Sequence, residues 1–322
     1  MAKPDRRIED YALLGDCATA ALVGRDGSID WLCWPRFDSS ACFAALLGDP
    51  DNGRWLIAPK DTPLRTTRHY IDTSLILVTV FETATGIVEL VDFMPPRDGR
   101  ADLVRLVRGV RGKVDLRTEF ILRFDYGSIV QWVERLDGKG LRAIAGPEMA
   151  MLRTPIPLEG RDFTTVGEFA VSAGEVVPFN LSYGPSHLQP PEGVDPERAL
   201  RETKAFWHAW SNRCTSEGCW SEAVRRSLTV LKGLTYTPTG GIVAAATTSL
   251  PEEAGGVRNW DYRYCWLRDA AFTLRALGRA GYYEEARQWR DWLLRAVAGS
   301  PDQLQIMYGL GGERRLAEWE VD

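Results

Sequence analysis

Apolar and polar positions alternate along most of residues 15–185. Short β-rich runs are separated there by four turn signals, at residues 26–27, 83–86, 111–113 and 172–175. Each signal contains a glycine, which supplies the backbone freedom that a tight reversal needs. No helical period intervenes, so the pattern predicts many short antiparallel strands packed as a β-sandwich.

The period becomes helical after Pro190-Pro191. Asp195 followed by Pro196 is typical of a helix N-cap with proline in the first turn, and apolar positions then follow helical spacing to Trp210. Three more helix faces follow, at residues 223–234, 270–278 and 286–297, with Gly281 as a stop signal after the second. We therefore expect a sandwich over residues 1–190, a helical linker over 191–215, and a helical array without strands over 216–322. Three helices make a poor core, so the array is expected to be the beginning of a larger domain.

Composition narrows the class of protein. The chain has 322 residues, and its net charge of -5 argues against a nucleic-acid partner. We find no signal-peptide pattern and no apolar stretch of membrane-spanning length, so we expect a cytoplasmic protein without a membrane partner. Six cysteines form no CxxC pair and three histidines are scattered, so we expect reduced thiols, no metal site and no cofactor.

The stretch NWDYRYCWLRDA, residues 259–270, combines aromatic and charged side chains at unusual density. Its aromatic rings are those of Trp260, Tyr262, Tyr264 and Trp266. An extended backbone would place all four rings on one face, opposite Asp261, Arg263 and Cys265.

Two interpretations of this stretch stay open on spacing alone. In the first, the rings are a core face, the charges are solvated and Asp269 is a helix-start residue. In the second, Arg268 and Asp269 bind hydroxyl groups at the rim of a sugar pocket, because a carboxylate accepts from neighbouring hydroxyls and a guanidinium donates in a fixed fork.

Three stretches resemble glycoside hydrolase family 15, the glucoamylase and trehalase-like enzymes. DYRYCWLRDAA resembles the first inter-helix loop of the family, and MYGLGGERRLAEWEVD its second inner-face loop. The opening GDCATAALVGRDGSIDWLCWPRFDSSACFAALLG resembles that of the bacterial members. The resemblance implies a multidomain β + α protein: an N-terminal antiparallel β-sandwich, a linker helix and an (α/α)6 barrel, truncated here to about three of its twelve helices.

The resemblance also implies inverting, glucose-releasing hydrolysis of an α-glucosidic bond. Tyr262 and Trp266 would shape the pocket of the non-reducing-end glucose, and Arg268 and Asp269 would bind its hydroxyls, while Arg258 and Asp261 would brace the loop. The general acid and base, roughly 6.5–9.5 Å apart in inverting enzymes, are glutamates expected beyond residue 322. We read Glu320, after Trp319, as a structural or rim residue. This chain alone is then expected to be inactive, because it needs the rest of the barrel.

Several alternatives remain at this point. The chain can be a non-catalytic carbohydrate-binding or interaction module, or part of a sandwich-plus-barrel glycoside phosphorylase. The α-glucoside can be trehalose or a malto- or isomalto-oligosaccharide. Residues 309–312 predict a tight loop, since the lysine of a phosphate loop is missing. Residues 34–38, WPRFD, predict a packing turn or a loop that leans over the barrel mouth.

Overall fold

A computed structural model describes residues 7–136, 140–253 and 255–317. Fifteen antiparallel strands come first within these ranges. They are β1 (Tyr11–Gly15), β2 (Ala20–Gly24), β3 (Ser28–Cys33), β4 (Ala41–Phe43), β5 (Arg54–Pro59), β6 (Arg65–Tyr70), β7 (Leu77–Glu82), β8 (Gly86–Phe93), β9 (Ala101–Ile121), β10 (Trp132–Leu136), β11 (Gly140–Ala145), β12 (Glu148–Arg153), β13 (Glu159–Arg161), β14 (Thr164–Ser172) and β15 (Val176–Pro185).

The strands form two layers that share β9. One layer runs β1-β2-β3-β5-β9-β14, with β4 on β3 and β13 on β14; the other runs β6-β7-β8-β9-β15-β12-β11-β10. The layers face each other across one apolar core, where Trp55 of the first meets Phe179 of the second with ring centroids 6.2 Å apart. The antiparallel sheet predicted from the alternating pattern is confirmed.

One predicted hairpin is wrong. Residues 111–113 do not reverse the chain but lie inside β9, a single strand of 21 residues. Gly112 has a φ of +66° there, and a Cβ at this position would collide with the carbonyl oxygen of Thr85. The first half of β9 pairs with β8 and β15 and the second half with β5 and β14, so the strand passes from one layer to the other at this glycine.

The other three turn signals do reverse the chain. Residues 26–27 join β2 to β3 and residues 83–86 join β7 to β8, and each pair of strands is hydrogen-bonded as a hairpin. The turn at 172–175 joins β14 to β15, which pair with different halves of β9. This third reversal therefore connects the two layers.

Four helices follow the strands in the described ranges: α1 (Pro196–Ser211), α2 (Ser221–Gly233), α3 (Leu267–Arg279) and α4 (Tyr283–Ala296). The start of α1 is as predicted, because the Asp195 side chain accepts from the amide of Arg198 at 2.7 Å. Helix α1 packs Ala199 and Leu200 on the outer face of the second layer, against residues such as Phe93. No helix in the described ranges is long and apolar enough to cross a bilayer.

The expectation of helices without strands after residue 215 is wrong. Two short antiparallel ribbons lie among the helices. The first pairs β16 (Thr235–Tyr236) with β17 (Gly241–Ile242), and the second pairs β18 (Cys265–Trp266) with β19 (Met307–Tyr308). Each strand has two residues, which is too short for an alternating pattern to reveal in sequence.

Candidate functional site

The second ribbon brings together the two stretches that the sequence singled out separately. Cys265 lies opposite Tyr308 and Trp266 opposite Met307, and the amide of Leu267 donates to the carbonyl of Ile306 at 3.0 Å. The loop before β18 and the loop after β19 are therefore neighbours. A Cβ on Gly241 would lie 2.9 Å from the sulfur of Cys265, so this glycine permits the close packing beneath them.

Aromatic rings of the first loop cluster around Trp266. Trp260 and Tyr262 each meet it edge-on, with ring centroids 5.6 and 5.5 Å away. The Trp266 indole Nε1 also donates to the main-chain oxygen of Asp261 at 2.9 Å. The backbone turns at residues 262–263 instead of running extended. The extended backbone on which the alternation argument depended is therefore absent, although the rings of Trp260, Tyr262 and Trp266 do come together.

Arg263 is buried with 4% of its surface exposed, so the expectation of a solvated charge is wrong for this residue. Its guanidinium binds the Asp261 carboxylate, with a shortest distance of 2.7 Å, and donates to Tyr126 Oη at 2.7 Å and to the Ser39 carbonyl at 2.9 Å. Asp261 thus braces the loop, which is the role expected for it from the resemblance.

Electrostatics keep this buried arginine charged. Burial opposes the charge, but the hydrogen-bonded Asp261 carboxylate helps to hold the pKa of Arg263 above its ordinary value. Burial also raises the pKa of the Cys33 thiol to about 11, so that thiol is neutral at pH 7. Asp261 therefore supplies the negative charge beside Arg263 at neutral pH.

Arg268 and Asp269 occupy the first turn of α3. Arg268 Nη2 lies 3.2 Å from Asp269 Oδ2, and 70% and 32% of the two side chains are exposed. A carboxylate in the first turn is favoured by the partial positive charge of the helix N-terminus. The structure thus places Tyr262, Trp266, Arg268 and Asp269 in one turn and the helix start that follows it, with both charged groups open to solvent.

The WPRFD segment packs against the second loop. Arg36 binds Asp38 through two hydrogen bonds, at 2.6 and 2.8 Å, and reaches Glu313 at 3.1 Å. Phe37 is buried in the apolar cluster that contains Trp292 of α4. The interpretation of this segment as a packing turn agrees with these contacts.

Glu313 is a residue of this region that sequence reasoning missed. Its carboxylate accepts from the amide of Gly311 at 2.8 Å, and the amide of Gly309 donates to its carbonyl at 2.9 Å, which closes the tight loop predicted over residues 309–312. Burial opposes its charge, but hydrogen bonds from backbone amides and from Arg36 hold the pKa of Glu313 below its ordinary value. The signal in the sequence was a carboxylate directly after the glycines. Trp319 and Glu320 lie outside the described residues.

Comparison with known families decides the membership. Residues 2–207 match the model described as Trehalase-like, N-terminal, and residues 218–321 match that of Glycosyl hydrolases family 15. The chain belongs to the trehalase-like proteins of glycosyl hydrolase family 15. This confirms the resemblance drawn from the loop motifs.

Curated relatives agree with this membership. The chain is 34% identical to a trehalase of Mycolicibacterium smegmatis, covering 100% of this chain and 52% of the relative, and 34% identical to one of Mycobacterium tuberculosis, covering 100% and 51%. A trehalase of Thermoplasma volcanium is 30% identical, covering 98% and 51%. The chain therefore spans about half the length of the curated relatives it matches.

A solved structure shows the same fold at low sequence identity. The crystal structure of a bacterial glucoamylase complexed with acarbose superposes with a TM-score of 0.69 at 12% identity, covering 96% of this chain and 53% of that one. The arrangement of an antiparallel sheet domain followed by helices is thus shared with that glucoamylase.

Proposed function

We propose that this chain is the amino-terminal portion of an inverting, glucose-releasing α-glucoside hydrolase of the glucoamylase or trehalase type. The observation that carries the proposal is the aromatic cluster around Trp266 directly before the start of α3, where the Arg268 side chain is exposed and that of Asp269 is partly exposed. Ring faces and edges suit the apolar CH surface of a sugar, and charged groups suit its hydroxyls.

The four proposed sugar-binding residues have two different roles. Tyr262 and Trp266 shape the pocket of the terminal glucose. Arg268 donates from its planar fork, and Asp269 accepts from neighbouring hydroxyls. Arg268 Nη2 and Asp269 Oδ2 lie 3.2 Å apart, and the Arg268 side chain is exposed while that of Asp269 is partly exposed, so sugar hydroxyls can replace water around this pair without breaking a fully buried ion pair.

We further propose that residues 1–190, 191–215 and 216–322 are the sandwich, the helical linker and the first helices of an (α/α)6 barrel. Large apolar side chains on these helices support this, since Phe272, Tyr283 and Leu294 are 64–69% exposed. Contiguous exposed apolar surface usually marks an interaction site, and covering by later helices is the role that we propose for these side chains. The general acid and base would then lie in the half of the relatives' length that this chain does not span.

Trehalose is the first substrate to test. The curated relatives that match most of this chain are named trehalases, whereas the structurally similar enzyme is a glucoamylase. The leaving-group side of the site separates trehalose from maltose or isomaltose. We place that side on later loops of the barrel, so the residues proposed here bind the glucose that these substrates share.

The test uses the full-length protein that contains this chain. Glucose release is measured with trehalose, maltose and isomaltose, and the first anomer formed is recorded by proton NMR. With trehalose, inversion at the attacked carbon gives β-glucose while the leaving glucose keeps its α configuration, so we expect the two anomers to appear at first in equal amounts. Initial formation of α-glucose alone from trehalose would refute inversion, phosphate-dependent formation of glucose 1-phosphate would indicate a phosphorylase, and no reaction with any of the three would reject the proposed function.

A further inference from the structure

We propose that Arg263 is a positioning residue through which the sandwich fixes the sugar-binding loop. The inference rests on the proposed function, because it concerns the loop that carries Trp266 and Asp269. It adds a residue from the middle of that loop, with partners on two distant segments of the sandwich, and it assigns the sandwich a direct part in shaping the site.

The donor count of Arg263 excludes contact with substrate. A guanidinium has five N–H donors. Nε donates to Asp261 at 3.0 Å, Nη1 to the Ser39 carbonyl at 2.9 Å and to the Cys33 sulfur at 3.4 Å, and Nη2 to Asp261 and Tyr126, both at 2.7 Å. All five donors are thus used inside the protein, and the side chain is buried. Arg263 acts on the site through its neighbours.

The partners of Arg263 come from separate parts of the chain. Cys33 ends β3, Ser39 follows the WPRFD segment, and Tyr126 lies in the 3₁₀ turn after β9. The guanidinium carbon also lies 5.4 Å from the centre of the Tyr126 ring and 5.8 Å from that of Trp31. Through these contacts the sandwich holds the Arg263 guanidinium in place.

Two successive contacts link Arg263 to the sugar-binding residues. The Arg263 guanidinium holds the Asp261 carboxylate, and the main-chain oxygen of Asp261 accepts from Trp266 Nε1 at 2.9 Å. Trp266 directly precedes α3, whose first turn carries Arg268 and Asp269. A shift of Arg263 therefore moves the ring of Trp266 and the start of the helix together.

Lysine cannot replace arginine in this role. Its ammonium is a single point with three donors, whereas the partners of Arg263 lie around a planar group in different directions. The chain offers a matched control in Arg226 of α2, which also joins the helical half to the sandwich. Arg226 donates to the carbonyls of Asp72 and Ser74 and stacks on the ring of Tyr70, away from the loop.

The first experiment measures hydrogen exchange in the peptide that spans residues 258–270. Arg263→Lys and Tyr126→Phe are compared with wild type and with Arg226→Lys. We expect exchange in this peptide to be at least about fivefold faster in the first two variants and unchanged in Arg226→Lys, since local opening follows the contacts that are lost. Unchanged exchange in both test variants would overturn the proposal, and Tyr126→Phe decides the question if Arg263→Lys fails to fold.

The second experiment is a double-mutant cycle on kcat/KM in the full-length protein. We expect Tyr126→Phe to lower kcat/KM by about tenfold in wild type and by less than about threefold when Asp269 is already Asn, because misplacement matters less once the placed group is gone. Equal losses in both backgrounds would refute the positioning of Asp269. A wild-type protein that releases no glucose would reject the proposed function, and the exchange result would still decide the role of Arg263.

Discussion

Arg36 and Glu313 are separated by 277 positions in the chain, yet the Arg36 guanidinium lies 3.1 Å from the Glu313 carboxylate. Asp38 binds the same guanidinium, so one arginine holds the segment after β3 against the glycine loop after β19. This contact joins the sandwich to the second of the two loops that resemble the family's inner face.

The stabilising effect of Glu313 is expected to disappear in acid. Its pKa in the folded protein is lowered from an ordinary value of 4.5. A lowered pKa stabilises the folded state above 4.5, and this stabilisation is lost as the pH falls below 4.5 through the folded-state value. Because 47% of the side chain is exposed, the effect stays below about 1 kcal/mol. Urea unfolding of wild type and Glu313→Gln should differ at pH 7 and converge in acid; a constant difference would contradict this assignment.

Asp269→Asn and Arg268→Lys are each expected to lower kcat/KM of the full-length protein by about one to two decades. Hydrogen bonds to charged groups contribute roughly 1.5–3 kcal/mol, and about 1.4 kcal/mol is a factor of ten in rate. Asn is nearly isosteric with Asp, and Lys keeps the charge of Arg but loses its fork. The measurement is steady-state kinetics beside thermal melts.

Arg275→Lys is the matched control for these variants, because Arg275 lies on α3 with its side chain exposed. We expect its kcat/KM to equal that of wild type. If the activity of Asp269→Asn and Arg268→Lys falls only in step with their melting temperatures, the start of α3 is structural and the proposed sugar contacts are wrong.

Trp266→Phe is expected to lower the free energy of unfolding, measured in urea, by about 0.5–1.5 kcal/mol more than Trp289→Phe does. Both changes shorten an indole to a phenyl ring. Trp266 Nε1 donates to the Asp261 carbonyl, whereas Trp289 Nε1 is buried without a hydrogen-bond partner among the described residues. The difference therefore combines the hydrogen bond lost at Trp266 with the removal of an unpaired buried N–H at Trp289. Equal costs would show that the Asp261 carbonyl finds another donor when the indole is removed.

Gly112→Ala is expected to destabilise the protein by about 1–3 kcal/mol more than Gly146→Ala. Both glycines have positive φ, +66° and +58°, so alanine costs about 1–2 kcal/mol of backbone strain at each. A Cβ at 112 also collides with the Thr85 carbonyl, while one at 146 meets nothing within 4 Å. Urea midpoints measure the difference, and similar midpoints would mean that β9 relaxes around the new methyl group.

Signals that act within a few residues were readable from the sequence. Asp195 and Pro196 mark the start of α1 because a cap and a first-turn proline act on adjacent amides. Residues 26–27 and 83–86 mark hairpins because a glycine in a tight turn likewise acts only on its immediate neighbours. The prediction of a hairpin at residues 111–113 was wrong. A glycine with positive φ occurs in a bend within a strand as well as in a turn, and only the pairing partners of β9 distinguish the two.

The candidate site was readable in part. Aromatic and charged residue types pointed to the stretch at 259–270, and Tyr262 and Trp266 do lie together. The burial of Arg263 was not readable, because its partners Ser39 and Tyr126 lie 224 and 137 positions away. No local pattern records such contacts. Alternation failed for the same stretch because the Asp261 side chain accepts from the amide of Arg263 and turns the backbone.

The strand shared by the two layers has a consequence for the order of assembly on the ribosome. The first half of β9 can pair with β8, and the second half with β5, as soon as residue 121 has emerged. The other edge of each half of β9 stays unpaired until β14 and β15 have been synthesised, and β15 ends at residue 185. Both layers are therefore completed at nearly the same moment of synthesis. The sandwich becomes one cooperative unit just before α1, the helix that covers its outer face, leaves the tunnel.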